Sequence, residues 1–252
     1  MKALITGASS GIGREIAKEF ARKEYDIILI SRNMEALKEY KEELIREFNV
    51  DITCDSFDLN SKENCMELFE KYSDIDVLVN NAGFGDFGYF DKTSLEKDLT
   101  MIDTNIIAVH ILTKLYLKKF KNRNRGRILN VASIAGFFPG PLMATYYSTK
   151  SYVVKLSESI RAELKATKSN VKISILCPGP VKTNFNNVAN VKFDLKSLSS
   201  EYVAKYAVNN FLRGKFYIVP GFFVRCGRIL SRLVPTSLVA SIVYKTQKRK
   251  EG

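Results

Sequence analysis

Thr6-Gly7-Ala8-Ser9-Ser10-Gly11-Ile12-Gly13 stands between a short β-rich run, residues 2–6, and a stretch with apolar residues at helical spacing, Ile12, Ile16, Ala17 and Phe20. A strand that turns through glycines straight into a helix is the phosphate-binding element of a doubly wound sheet. Gly7 permits the tight turn, Gly11 lets a pyrophosphate approach the backbone, and Gly13 allows the helix to pack closely on the strand. The N–H groups at the helix start are then turned towards phosphate oxygens. The spacing is G-x-x-x-G-x-G, and its position directly after the first strand gives it more weight than three glycines alone.

Outward from this turn, strand and helix signals alternate. Strands are expected at 26–30, 51–57, 76–79, 127–131 and 171–176. Helices are expected at 12–23, 34–48, 61–72, from about 95 to 120, and at 144–166, with Ser61 capping the third. After Pro178 the pattern loosens to a helix at 198–212 and a short strand at 216–219. Such alternation predicts an α/β fold: a doubly wound, Rossmann-type, mostly parallel sheet with helices on both faces. No internal repeat or Pro/Gly/Ser-rich linker divides the chain. Residues 1–221 read as one domain, and 222–252 as a basic, amphipathic C-terminal extension that is not a domain of its own.

The 252 residues can bury a full core without disulfides or metals. Cys54, Cys65, Cys177 and Cys226 show no C-x-x-C spacing, and His110 is the single histidine, which argues against a zinc site. The cysteines read as scattered buried thiols in a reducing compartment. No secretory signal and no apolar run long enough to cross a membrane is visible, so the expected location is cytoplasmic. The net charge of +12 is uneven: residues 1–110 carry 13 Lys+Arg against 22 Asp+Glu, residues 111–252 carry 26 against 5. Residues 222–252 interleave seven Lys+Arg with apolar residues, and Pro235 splits them into two segments.

Further landmarks follow in order. Asn80-Asn81-Ala82-Gly83 ends the fourth strand, Asn105 lies in the next helix, and Ser133 follows the fifth strand. Tyr146-x-x-x-Lys150 comes thirteen residues later, and Pro178-Gly179, Val181 and Thr183 follow the sixth strand. Together with the glycine turn, these resemble the motifs of the short-chain dehydrogenase/reductases over about residues 1–220. The resemblance implies a cofactor site formed by Gly7, Ser9, Ser10, Gly11, Ile12, Gly13, Asp58, Leu59, Asn81, Ala82, Gly83, Tyr146, Lys150, Pro178, Gly179, Val181 and Thr183. In it, Asp58 would face the adenine.

The end of the second strand bears on the choice of cofactor. An NAD-selective site usually places an acid there, on the ribose hydroxyls. This chain has Ser31-Arg32, and Arg14 adds a second guanidinium after Gly13. Planar donors suit a 2′-phosphate, so NADP(H) is the expected cofactor.

Carbonyl reduction needs a hydride, a proton donor and a group to polarise the oxygen. Tyr146 and Lys150 share one helix face. The ammonium would favour the phenolate and lower the tyrosine pKa, and Ser133 would hydrogen-bond the carbonyl oxygen. By the resemblance, Asn105 is a fourth catalytic residue that holds a water on the path from Lys150 to solvent. Family spacing also selects Tyr146 over its neighbour Tyr147, which is expected in the substrate pocket.

Large apolar groups crowd the segments after Gly83, Ser133 and Pro178: Phe84, Phe87, Tyr89, Phe90, Phe137, Phe138, Pro139, Leu142 and Phe185. They point to a hydrophobic carbonyl or secondary alcohol, such as an acyl chain or a steroid-like ketone, and equally to packing within the protein. A 3-oxoacyl-carrier-protein reductase is one alternative. A non-catalytic NADP(H)-sensing or nucleic-acid-binding protein on the same fold is another, which the four catalytic-type residues argue against. A homo-oligomer is implied by the resemblance. The basic C-terminal half could meet a membrane periphery or an acidic carrier protein, or pack on the body with its charged heads in water.

Overall fold

Residues 1–183, 197–221 and 234–249 are described by a computed structural model. β1 (Lys2–Thr6) is apolar on both faces, as a central strand of a parallel sheet must be. Ala3 and Ile5 enter one core cluster and Leu4 the other. The chain continues through α1 (Gly11–Ala21), β2 (Asp26–Ser31), α2 (Met34–Glu47), β3 (Ile52–Ser56), α3 (Lys62–Lys71) and β4 (Val77–Asn80). It then runs through α4 (Leu95–Ile102), α5 (Val109–Asn122), β5 (Arg127–Val131), α6 (Ala144–Ala166) and β6 (Lys172–Leu176). Last come β7 (Val181–Lys182), β8 (Leu198–Ser199), α7 (Ser200–Leu212), β9 (Tyr217–Ile218) and α8 (Thr236–Lys248).

Seven strands form one parallel sheet in the order β3-β2-β1-β4-β5-β6-β9. The chain builds outward from β1 to β3 and then crosses back to place β4 on the other side of β1. This reversal opens a crevice at the carboxyl ends of β1 and β4, where open α/β sheets hold their ligands. One core cluster lies under α1, α2 and α7, with Phe20 and Phe211 edge to face at 6.0 Å. The other lies under α3, α5 and α6, around Tyr116 and Phe120. The doubly wound sheet expected from the alternating pattern is therefore present.

Local chemistry explains the helix starts. Asn33, Ser61, Ser94 and Ser199 accept backbone N–H groups at the starts of α2, α3, α4 and α7. Ser10, at the start of α1, makes no side-chain cap, and the first turn of that helix holds no acid.

Three expected elements differ in detail. The helix expected from about 95 to 120 is two α-helices joined by a π-helical turn, Asp103–Ala108. Asn105 sits in that turn with its side chain fully buried. A widened turn commonly marks a functional site. Leu198 and Ser199 pair with β7 before α7 begins, because Ser199 is extended and caps it. The last strand of the sheet is confined to Tyr217–Ile218.

Beyond Pro235, α8 folds back onto the body. The Tyr244 hydroxyl lies 2.9 Å from that of Tyr89, and Gln247 is buried. The first half of the extension, residues 222–233, lies outside the described residues. Among the described residues, no helix is long and apolar enough to cross a membrane.

Candidate active site

The glycine turn is fixed by its neighbour across the sheet. The Thr6 hydroxyl accepts the backbone N–H groups of Asn81 and Ala82, each at 3.0 Å. The Asn81 amide in turn donates to the carbonyls of Thr6 at 3.0 Å and Gly7 at 3.1 Å. These contacts leave no space for side chains. A Cβ on Gly7 would come 2.8 Å from Ala82 Cα, and one on Gly13 would come 2.3 Å from both Asn81 Nδ2 and the Gly7 carbonyl oxygen. Gly7 and Gly11 also adopt φ of +64° and +56°, the left-handed region that glycine enters without strain.

The turn forms one end of a cleft of about 590 Å³. Gly7, Ser9, Ser10, Gly11 and Ile12 line that end, with Ser31 and Arg32 from the tip of β2. Asp58 and Leu59 follow β3, and Asn81, Ala82 and Gly83 follow β4. Pro178, Gly179, Val181 and Thr183 close the wall beyond β6. The sequence singled out all of these.

Gly13, Arg14 and Asn105 do not line the cleft. Gly13 acts in packing, as its close contacts require. Arg14 departs from expectation: its guanidinium pairs with Glu43 and lies 4.0 Å over the Tyr40 ring. The cause is helical phase. One residue beyond Gly13, the side chain turns from the crevice towards α2. Of the two arginines, only Arg32 remains on the cleft wall.

Ser133, Tyr146 and Lys150 share the central wall. Ser133 follows β5, and the other two lie one helical turn apart on α6. Ser133 stands near enough to the Tyr146 phenol to favour its ionisation, and its oxygen accepts the Ala135 N–H at 3.1 Å. Lys150 Nζ donates to the Val131 carbonyl at 3.1 Å and lies 5.8 Å from the centre of the Tyr146 ring. Burial pushes the lysine down to about 8. It also pushes the Tyr146 phenol above its ordinary range, and the neighbouring Ser133 hydroxyl only partly offsets this. The expected depression of the tyrosine pKa by the lysine is therefore not found. At that separation, desolvation is the largest influence on both groups.

Asn105 braces the wall from behind. Its amide donates to the Phe84 carbonyl at 2.9 Å and to Thr149 Oγ1 at 3.1 Å, and its oxygen accepts the Phe84 N–H at 3.1 Å. A Cβ on Gly83 would come 2.7 Å from that oxygen and 3.4 Å from Lys150 Nζ. Asn105 thus ties the segment after β4 to α6, a buried bracing role rather than one at the cleft surface.

At the far end of the cleft, Phe84, Phe138 and Tyr147 form the wall. Phe87, like Tyr146 and Tyr147, packs against Met143. Phe137 instead joins the sheet core, Tyr89 reaches α8, and Phe90 is exposed. Phe185 lies outside the described residues. The sequence reading missed α8 as part of this wall: Ile242, Val243, Thr246 and Gln247 all face the cleft. The signal available was polar Thr246-Gln247 following the apolar pair Ile242-Val243 at helical spacing.

Comparison with known proteins agrees with this geometry. A family model described as short chain dehydrogenase matches residues 1–192. An NADP-dependent 3-hydroxy acid dehydrogenase of Schizosaccharomyces pombe is 37% identical over 192 residues, 73% of this chain and 73% of that protein. A very-long-chain 3-oxoacyl-CoA reductase of Anas platyrhynchos is 29% identical over 98% of this chain and 80% of its own length. A short-chain dehydrogenase from Sphingobium yanoikuyae, solved in complex with NADPH, superposes with a TM-score of 0.84 at 26% identity, covering 92% of this chain and 93% of that one.

Proposed function

Because this chain belongs to the short-chain dehydrogenase family, we propose that it is an oxidoreductase moving a hydride between NADP(H) and a carbonyl or secondary alcohol on a hydrophobic substrate. The observation that carries this reading is the convergence of Ser133, Tyr146 and Lys150 on the wall of one cleft that begins at a glycine turn, with Lys150 one turn beyond Tyr146 along α6.

The residues fit a dinucleotide. The amino end of α1 has no side-chain cap and no acid in its first turn. The cradle at Gly7 and Gly11 takes no side chain without strain. Arg32 stands on the wall where β2 ends without an acid, which favours a 2′-phosphate. The bound nicotinamide would supply or accept the hydride.

The chain's own groups handle the proton and the oxygen. In the direction of reduction, Tyr146 Oη donates its proton to the developing alkoxide. Ser133, on the same wall, would offer a second hydrogen bond to the same oxygen. The Lys150 ammonium, held by the Val131 carbonyl, adds positive charge behind the phenol. It would lower the phenol's cost of losing its proton once bound cofactor and substrate reorganise the site. Asn105 keeps the segment after β4 in register with α6. Phe84, Phe138, Val243 and Ile242 would exclude water and hold an apolar chain.

The test is oxidation of NADPH and NADH with 3-oxoacyl thioesters, steroids and aryl ketones. Turnover that prefers NADPH supports the reading. Tight NADPH binding without turnover of any ketone, and without reverse turnover of the matching alcohols, would contradict it.

A further inference from the structure

Along α8 the side chains are exposed or half-buried until Gln247, which is only 3% exposed. Its amide Nε2 donates to the Tyr147 hydroxyl at 2.7 Å and lies 3.7 Å from Met143 Sδ. An amide in a mostly apolar cleft wall is costly unless it has work to do with polar partners. Here it fixes the Tyr147 phenol as an acceptor. That leaves the phenol's own proton to be donated elsewhere, since a hydroxyl both gives and takes.

Tyr147 is also held as a ring. A Cβ on Gly140 would come 2.0 Å from its Cγ, so the glycine is the seat on which the ring lies. Tyr147 sits beside Tyr146 with ring centres 6.1 Å apart, and both rings line the cleft. The rings meet edge to face at 77°, so one wall offers two phenols to a single ligand.

We propose that Tyr147, positioned by Gln247, is a second hydrogen-bond donor to the substrate, so that the site selects carbonyl compounds bearing another oxygen acceptor close to the reacting one. A 3-oxoacyl thioester or a 3-oxo acid has this arrangement. The proposal rests on the reductase reading above. It assigns the specificity of the site to a residue pair shared between α6 and the C-terminal helix.

The experiment compares kcat/KM for the N-acetylcysteamine thioester of 3-oxooctanoate with that for 2-octanone, using NADPH and the full chain. The wild-type protein is expected to favour the thioester. Tyr147→Phe and Gln247→Leu are each expected to lower the thioester-to-ketone ratio about tenfold, the loss of one hydrogen bond made to one substrate only. A ratio taken on one sample is insensitive to the fraction of protein that is folded. Equal losses on both substrates in both variants would overturn the proposal, leaving Gln247 as a latch for α8 while the reductase reading stands. Wild-type protein that turns over neither compound nor any other ketone with either cofactor would overturn the reductase reading and the proposal together.

Discussion

Asn81 and Thr6 hold each other twice: the Asn81 N–H donates to Thr6 Oγ1 and the Asn81 amide donates to the Thr6 carbonyl, both at 3.0 Å. The pair joins the carboxyl ends of β1 and β4, the two strands between which the sheet reverses direction. Removing the Thr6 hydroxyl leaves the N–H groups of Asn81 and Ala82 without their acceptor, at about 1–3 kcal/mol for each group. Thr6→Val should therefore lower stability by about 2 kcal/mol or more in denaturant unfolding, and weaken cofactor binding as well. A neutral result on both would mean that the turn is held by other contacts.

Gly13→Ala should be more damaging than its position on a helix suggests. Its methyl group would meet Asn81 Nδ2 and the Gly7 carbonyl oxygen at 2.3 Å, and one of these is backbone. Gly214→Ala is the useful comparison, because nothing lies within 4 Å there and only its φ of +74° opposes the change. The expected order is a loss of about 1 kcal/mol at Gly214 and a larger loss at Gly13, together with loss of cofactor binding. Equal effects would remove the steric argument.

The two arginines should separate. Arg32→Ala is expected to raise the Kd for NADPH at least tenfold more than that for NADH. Arg14→Ala should leave the NADPH/NADH ratio nearly where it was, because that guanidinium is occupied by Glu43 and Tyr40. Titration calorimetry decides it. A ratio that collapses in the Arg14 variant would show that the side chain swings to the cleft when cofactor binds.

Tyr146→Phe keeps the ring and loses the acid. Turnover should fall by at least 10³-fold while NADPH binding changes little. If activity survives in Tyr146→Phe and vanishes in Tyr147→Phe, the proton donor is the neighbouring tyrosine.

Lys150 gives a pH signature. Its folded value, about 8, lies below the ordinary 10.5 because the ammonium is buried. Below pH 8 the group is charged in both folded and unfolded chains, and the full cost of burying the charge is present. Between about 8 and 10.5 the unfolded chain holds a proton that the fold has lost, so the wild-type protein gains stability as pH rises. Measured against Lys150→Met, the wild-type protein should improve across this window by up to about 3 kcal/mol. A difference that stays flat from pH 7 to 10.5 would rule out a depressed lysine.

Much of this was legible in advance, and the reasons can be stated residue by residue. Strand and helix phases follow from hydrophobic periodicity, so the parallel sheet could be read directly. The glycine turn could be read because its chemistry depends on backbone that lies contiguous in the chain. Arg14 could not be placed, since whether it faces a cofactor or Glu43 depends on the phase of α1 against α2. Asn105 was marked by the resemblance, but the break in the helix around it was not, because a π-helical turn carries no periodicity signal of its own. The role of α8 escaped for a different reason. Its basic and apolar residues suit a membrane, a partner or the protein's own surface equally well, and only the fold brings Gln247 to Tyr147, a hundred residues away.

The placement of α8 has a consequence for how such a protein can diversify. The nucleotide half of the cleft is built from segments that also carry the sheet, so changes there endanger folding. The roof over the other half is α8, none of whose described residues enters either core cluster. Variation along α8 could retune which molecules are accepted while the expensive, shared machinery is inherited unchanged.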